Sequence, residues 1–215
     1  MPVEPAIKRA VGFIDGQNLF RHAKDALGYY HPNYHPKKLV DAVCATNGWK
    51  SQGARFYTGV PTAGRDPDWH AYWNSRLLGM RRSGTMGINS DLKYHSIKVA
   101  GPNGEIDTVD IPREKGIDVR LALDVVRMAR HGQFDVAILF SQDQDLAEVA
   151  AEVRDISITE DRWLKVVSAF PVGPDASSAR GIDRADWFRI DRTFYDSCID
   201  ERDYRSAEWE ARTKP

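Results

Sequence analysis

The chain has few cysteines, and no two of them lie at the spacing of metal ligands. Cys44 and Cys198 are the only two among 215 residues, and they are far apart in the sequence. A C-x-x-C pair, the usual sign of a zinc or redox site, is therefore missing. Two reduced, buried thiols are the simplest interpretation, and they are typical of a cytosolic protein.

Long apolar runs and an excess of one charge are missing as well. No stretch approaches the roughly 18 apolar residues that span a bilayer. The first ten residues are polar and mixed, unlike a signal peptide. The 30 Lys and Arg against 31 Asp and Glu leave a net charge of -1, which argues against a histone-like polycation. We therefore expect a cytoplasmic protein with no membrane partner, although a local basic stripe would be enough to bind phosphates.

Several catalytic signatures are not present either. The sequence contains no G-x-S-x-G segment, no Cys/His pair with a recognisable local signature and no Walker A loop. A serine or cysteine nucleophile and nucleotide-driven work are therefore not indicated. The six histidines are dispersed, and a surface loop explains His31 and His35 better than a metal site does.

The sequence does contain short apolar runs that alternate with segments of helical period. This alternation predicts an α/β fold, with a Rossmann-like parallel sheet flanked by helices in three layers. Length and a hydrophobic share of 42% favour one domain, 9–191, followed by a helical or flexible extension, 192–215. The expected strands are 11–14, 54–60, 134–140, 164–170 and 186–190, with a hairpin between 92 and 112 turning at 101–104. The expected helices are 17–27, a second one around 39–43, 69–82, 116–130 and one with Leu146, Val149 and Val153 on its buried face.

Polar residues follow the first of these strands. Asp15 closes the strand, Gly16 permits a tight turn, and Asn18 lies in the first helical turn beside it. Ligands of an open parallel sheet bind at the carboxyl ends of its strands, which makes these two side chains candidate site residues. Capping of the helix is the alternative explanation.

A second candidate is Asp118, at the start of the helix expected at 116–130. Its spacing from Leu121 and Val125 predicts that it lies on the apolar, core-facing stripe, whereas Asp124 is expected on a solvated face with Arg120 and Arg127. A buried carboxylate is unfavourable unless it is paired or bound to a metal. Pairing with Lys115 or with the helix N-terminus remains the alternative.

The third cluster follows the most apolar strand. Ser141, Asp143 and Asp145 stand where that strand leads into the next helix. One aspartate could serve as an N-cap, but two at this position exceed what capping requires. Several carboxylates in one pocket repel each other unless a cation neutralises them. All-oxygen ligands favour Mg²⁺ or Mn²⁺ and disfavour zinc, and such metals activate water for attack on phosphorus.

These segments resemble the three signature stretches of the NYN domain, a family of PIN-like metal-dependent ribonucleases with a Rossmann-type sheet. Residues 13–19 (FIDGQNL), 115–119 (KGIDV) and 141–146 (SQDQDL) match its F-[IV]-D-G-x-N, K-G-x-D and S-x-D-x-D patterns in order. The resemblance covers about 11–190. Two departures are Gln142, where the family often has glycine, and Leu146, where it often has an aromatic residue.

The resemblance implies a PIN-like fold, an endoribonuclease activity and a metal held by Asp15, Asp118, Asp143 and Asp145. Asn18 would orient a water or a phosphate, and Ser141 would support the pocket. Single-stranded RNA is the expected partner. The candidate substrate-binding residues are Lys115, Ser141, Arg81 and Arg82.

Other interpretations remain open at this point. A family member could keep the fold and act only by binding RNA or a protein. A phosphatase with a D-x-D-x-T motif is disfavoured because Gln17 stands where the second aspartate would be. The sequence does not decide whether the chain forms a homodimer.

Overall fold

The computed structural model describes residues 2–100, 106–113, 116–207 and 209. Within these residues the chain forms eight β-strands and six α-helices. In chain order they are β1 (Arg9–Asp15), α1 (Gly16–Leu27), α2 (Pro36–Asn47), β2 (Lys50–Val60), α3 (Pro67–Arg82), β3 (Met86–Asp91), β4 (Lys93–Ala100), β5 (Ile106–Arg113), α4 (Ile117–Arg130), β6 (Val136–Phe140), α5 (Ala147–Thr159), β7 (Lys165–Pro171), β8 (Asp186–Ile190) and α6 (Arg192–Asp196). A single 3₁₀ turn, Gln144–Leu146, leads into α5.

Six strands form one sheet in the order β3-β2-β1-β6-β7-β8, and all neighbours in it are parallel. The chain moves outward from β1 through β2 to β3, then returns to β6 on the other side of β1 and moves outward again. Such an order has its topological switch point between β1 and β6, where ligands bind in doubly wound folds. The expected Rossmann-like sheet is confirmed.

Helices cover both faces of this sheet, because alternate strand residues point to opposite sides. In β6, Ile138 and Phe140 pack with α1, α2 and α3, whereas Ala137 and Leu139 pack with α4 and α5. The residues of β6 are all fully buried, as a central parallel strand requires. The three-layer architecture is therefore confirmed.

The sequence did not predict the strand β3, but it did predict the β4–β5 hairpin. The edge strand β3 has the sequence MGINSD and is largely exposed. Its residues therefore show no alternation of apolar and polar positions that would indicate a strand. Strands β4 and β5 pair antiparallel, as expected for the hairpin. Its predicted turn, 101–104, lies outside the described residues.

The segment after Asp191 packs into the main core. Tyr195 and Cys198 are buried there, and the Asp200 amide donates to the Asn33 carbonyl at 2.8 Å. A domain boundary at 191 therefore stays a prediction that these contacts do not favour. Both Cys44 and Cys198 are free and buried. None of the helices in the described part of the chain is long and apolar enough to cross a membrane.

Candidate active site

The switch point brings the end of β1 against the residues that follow β6. On the other side of β1, Gly16 lets the turn into α1 pack closely against β2, since a Cβ at this position would lie 2.5 Å from the Phe56 ring and 2.9 Å from the Tyr57 carbonyl oxygen. No side chain larger than hydrogen fits at these distances. The chain can therefore turn from β1 directly into α1 and leave Asp15 at the sheet edge.

Asp15 is the N-cap of α1 and also the centre of the site. Its Oδ1 accepts from the Asn18 amide at 3.0 Å, and its Oδ2 accepts from the Ser141 hydroxyl at 3.3 Å. Burial raises the pKa of Asp15 to about 6, and the charge of Asp143 acts in the same direction. Asp15 therefore caps α1, as the alternative explanation predicted, and it also lies at the end of β1, where the candidate site was expected.

Asn18 and Ser141 tie the two halves of the site together. The Asn18 Oδ1 accepts from the Gln142 amide at 3.0 Å. The Ser141 Oγ accepts from the Asp143 amide at 3.2 Å, and the Ser141 carbonyl accepts from the buried Ser168 hydroxyl at 2.8 Å. Because β1, β6 and β7 all contribute to this network, the site is held by the rigid centre of the sheet.

Asp143 and Asp145 occupy the turn after β6. Asp143 is half-buried and caps the 3₁₀ turn, with its Oδ1 accepting from the Asp145 amide at 3.0 Å. Asp145 lies in the first turn and is exposed. Capping therefore accounts for one oxygen of Asp143, whose charge also reaches Asp15.

The prediction that Asp118 lies on the buried stripe of α4 is wrong. Asp118 is exposed, and its Oδ1 accepts from the neighbouring Val119 amide at 2.8 Å. The buried stripe runs through Ile117, Leu121, Asp124 and Val125 instead. Asp118 is one position away from this stripe, a rotation of about 100° around the helix.

Asp124 is the carboxylate that the stripe buries, so its expected solvated position is also wrong. It is 2% exposed, and its Oδ2 accepts from the Tyr57 hydroxyl at 2.9 Å and from Arg55 at 3.1 Å. The expected ion pairs with Arg127 and Arg120 are confirmed, at 2.9 and 3.4 Å. Burial alone would raise the pKa of Asp124, but the bonds from Tyr57 and Arg55 outweigh it and hold the pKa below its ordinary value.

Two of the three basic candidates are not assembled with the carboxylates. Arg81 and Arg82 end α3, shortly before β3 begins, and therefore lie toward the sheet edge opposite Asp15. Lys115 lies outside the described residues.

Sequence reasoning missed His22 in this region and did not predict the contacts that Gln142 makes. His22 lies one turn after Asn18 on α1, and burial lowers its pKa, while the charges of Asp25 and Asp143 act the other way. Its spacing of four residues from Asn18 was the available signal. Gln142, which departs from the family pattern, donates with its Nε2 to the Ser178 and Arg180 carbonyls at 3.2 and 2.7 Å. It thereby fastens the loop between β7 and β8 to the site.

The donors around Asp15 suit a hard cation. Carboxylate and amide oxygens from Asp15, Asp143 and Asn18 are the ligand type of Mg²⁺ and Mn²⁺, and Mg²⁺ is often held by only one or two carboxylates. Among the described residues, no group of three or more His, Cys, Asp or Glu side chains is close enough to hold a metal. The expected gathering of four aspartates is therefore not present, and Asp15 with Asp143 is the pair that the fold brings near.

Comparisons with known proteins agree with this architecture. The NYN domain family model matches residues 9–160. A crystal structure of a protein of unknown function from Vibrio parahaemolyticus is similar, with a TM-score of 0.53 and 17% identity, covering 89% of this chain and 98% of that chain. This likeness supports the fold alone. The comparison with curated proteins found no match.

Proposed function

Because the chain belongs to the NYN domain family, we propose that it is a metal-dependent ribonuclease that hydrolyses phosphodiester bonds of single-stranded RNA. The family is nuclease-like, and the position of Asp15 carries the proposal for this member. Asp15 lies at the switch point of the sheet, with a pKa raised to about 6 and the charge of Asp143 nearby. The negative charges of two such carboxylates are unfavourable without a counterion, and a bound cation would stabilise them.

The residues that would hold Mg²⁺ or Mn²⁺ are Asp15 and Asp143. The exposed Asp145 and Asp118 are not gathered around Asp15, so they would join the site only by moving toward a bound ion. A bound metal of this type activates a water and stabilises charge on the phosphoryl oxygens. Ser141 orients the Asp15 carboxylate by donating to its Oδ2. The Oδ1 of Asn18 is engaged with Gln142. Its Nδ2 is therefore the donor that Asn18 offers to a phosphate or an attacking water.

RNA contacts away from the reacting phosphate belong to the same proposal. In the sequence, Lys115 precedes Gly116, the N-cap of α4, and the first turn of α4 carries Asp118. Lys115 is therefore our candidate for a phosphate contact near the metal. Arg81 and Arg82 would contact only an RNA long enough to extend from Asp15 to the C-terminal end of α3. Contacts of this kind add affinity without sequence preference.

Cleavage of a labelled single-stranded RNA with Mg²⁺ or Mn²⁺ tests the function. Asp15→Asn and Asp143→Asn should each lower the rate by about 100-fold or more, because each removes a charge at the metal while asparagine still caps its helix. Asp155→Asn is the matched control, since Asp155 is exposed near the far end of α5, which begins after the turn that carries Asp143 and Asp145.

The outcomes separate clearly. Loss of cleavage in both site variants and in EDTA, with the control unchanged, supports the nuclease and its metal together. An absence of cleavage over a panel of RNAs, with no metal binding by calorimetry, would overturn the enzymatic function.

A second candidate function is a binding module of the same fold with weak or no catalysis. The exposed positions of Asp118 and Asp145 favour it, because these side chains are not gathered around Asp15. A binding module would hold RNA with the same affinity in the wild type and in Asp118→Asn, and it would leave the RNA intact.

We also propose that the chain forms a homodimer through its hairpin. Four β-branched side chains line one face of β4–β5 and are more than 40% exposed, namely Ile97, Val99, Val109 and Ile111. On the same face, Lys93 lies at the base and Asp107 toward the tip. A two-fold axis would pair Lys93 of one copy with Asp107 of its partner and bury both apolar stripes.

A further inference from the structure

A cavity lies beside the candidate active site, at the carboxyl ends of β2 and β3. Its volume is about 230 Å³. Phe20 of α1, Trp69 of α3 and Tyr94 at the base of the hairpin line it, together with Gln17 and Asp66. Nothing in the proposed hydrolysis uses these side chains.

The cavity presents aromatic rings to solvent. Phe20, Trp69 and Tyr94 are each half-buried, and the centroids of the Phe20 and Trp69 rings are 6.1 Å apart. The guanidinium of Arg65 lies 5.1 Å from the centroid of the Tyr94 ring and also pairs with Asp110 of β5. These contacts hold the base of the hairpin in place, so the cavity exists before any ligand binds. Rings exposed in a preformed cavity are suited to stack on another planar ring.

Two polar side chains at this cavity, Gln17 and Asp66, offer oxygen acceptors. The Gln17 Nε2 donates to the Gly59 carbonyl at 3.3 Å, which leaves its Oε1 for other partners. The Asp66 Oδ1 accepts from the Trp69 amide at 3.1 Å, which leaves Oδ2. Two oxygen acceptors beside aromatic rings match a planar ligand that carries N–H donors, and exocyclic amino groups of nucleobases are such donors.

The first turn of α1 contributes residues to both the cavity and the candidate active site. Gln17 and Phe20 of the cavity stand on either side of Asn18, which belongs to the site. In the sheet, β2 is the direct neighbour of β1, so both sites lie along the same edge. A nucleic-acid strand whose phosphate reaches Asp15 would therefore pass the cavity within a nucleotide or two.

We propose that this cavity is a nucleobase subsite, which stacks one base of single-stranded RNA next to the scissile phosphate. It favours adenine, cytosine or guanine over uracil, because these bases carry an amino group for Asp66 and Gln17. This inference rests on the proposed ribonuclease function, which it deepens by assigning the part of the RNA that gives selectivity.

Binding of a short fluorescent RNA, measured by anisotropy with Mg²⁺ in the Asp143→Asn background, tests the subsite while cleavage is slowed. Tyr94→Ala and Phe20→Ala should each weaken binding about 5- to 100-fold, the range expected for loss of one stacked base. Tyr94→Phe keeps the ring and should bind as the parent does. Tyr30→Ala is the control, since Tyr30 is 68% exposed and does not line the cavity.

An abasic scan of the RNA supplies the second readout. Removing the base at one position should weaken binding to the parent protein by a similar factor, and the same removal should have no further effect on Tyr94→Ala. Circular dichroism checks that each variant is folded, and Phe20→Ala, which leaves the hairpin intact, serves if Tyr94→Ala is not.

The failure of this inference differs from the failure of the proposed function. Equal binding by the folded alanine variants and a flat abasic scan would overturn the subsite, even if the protein cleaves RNA normally. A position-dependent scan that Tyr94→Ala abolishes would support the subsite, even if no metal gives cleavage. No RNA binding by any form would overturn both.

Discussion

At the scale of single residues, two carboxylates show how hydrogen-bond partners set the pKa of an acid that is removed from water. Asp124 accepts bonds from Arg55 and Tyr57, and its pKa lies below the ordinary value. Asp15 receives its bonds from a backbone amide and a serine hydroxyl, which are too weak to offset burial, and its pKa rises to about 6. The paired acid is suited to stability, whereas the unpaired one is suited to a cation.

Replacing Asp124 should show the stabilising role. Asp124→Asn leaves Arg55 and Tyr57 without their charged partner, and we expect the free energy of unfolding to fall by about 2–3 kcal/mol at pH 7. Because the folded pKa of Asp124 is lowered, its contribution is complete above the unfolded value near 4 and is lost as the pH falls through the folded pKa. Urea unfolding of both proteins at pH 7 and pH 3 should therefore show a gap that narrows in acid.

Asp118→Asn on the same helix is the control for this experiment. Asp118 is exposed, so its replacement should change the free energy of unfolding by less than about 0.5 kcal/mol. A gap for Asp124→Asn that stayed constant between pH 7 and pH 3 would contradict the assignment of its lowered pKa.

Gly16 has a steric rather than an electrostatic role. Gly16→Ala would place a Cβ 2.5 Å from the Phe56 ring, so α1 or the ring must move. We expect a loss of about 1–3 kcal/mol in thermal or urea unfolding, together with weaker RNA cleavage, because Asp15 is the preceding residue.

Gly64→Ala is a matched comparison for Gly16→Ala, since nothing lies within 4 Å of a Cβ at Gly64. The same loss of stability in both variants would indicate a general effect of replacing glycine, and not a clash with Phe56.

At the scale of elements, the β4–β5 hairpin is the part that the sheet does not support. It pairs with no strand of the main sheet among the described residues, and its apolar stripe faces solvent. A two-stranded ribbon is marginal alone and gains stability from packing. One of its faces meets the body at Tyr94 and Asp110, and a second copy would cover the other.

Light scattering coupled to gel filtration tests the hairpin contact. The wild type should elute as a dimer at tens of micromolar, and a variant with both Ile97→Ser and Val109→Ser should elute as a monomer with an unchanged circular dichroism spectrum. Ile106→Ser is the control, because Ile106 is 68% exposed and pairs with Ala100 on the opposite face. A wild type that remains monomeric at the highest soluble concentration contradicts the dimer.

At the scale of the whole molecule, the strand order places the site, and the segment after Asp191 completes the core. The loops after β1, β6 and β7 meet at the switch point, because the crossover connections run in opposite directions along the sheet on either side of it. On the α1 face, the segment after Asp191 adds Tyr195 and Cys198 to the core, and Tyr34 pairs with Ile199 in an isolated bridge.

Ending the chain after Asp191 should therefore destabilise the whole protein. The truncation removes the buried Tyr195 and Cys198, and we expect the Tm to fall by at least about 10 °C. Tyr195→Phe, which loses only the hydroxyl that donates to the Asn33 Oδ1 at 2.9 Å, should have a much smaller effect. A truncated chain that melts like the full one would mean that the segment is a separate extension.

The sequence predicted the fold well because the fold depends on local patterns. Apolar runs and helical periods located most of the elements in the six-stranded sheet, and the polar residues after β1 and β6 marked its binding edge. The strand β3 was missed because its residues are polar and its position at the edge of the sheet demands no apolar face. Family membership came from three short segments whose order survives in the match over 9–160.

What the sequence alone determined is the set of oxygen-bearing side chains at the ends of the strands and the glycine that allows Asp15 to turn into α1. Only the tertiary structure decided which acids are buried. The buried face of α4 is rotated by about one residue from the face that the sequence predicted, so it contains Asp124 and not Asp118. Only the tertiary structure placed Arg81 and Arg82 away from Asp15, and it alone assembled the aromatic cavity from α1, α3 and the hairpin. Periodicity fixes a residue within its own element, whereas burial and proximity depend on how distant elements pack together.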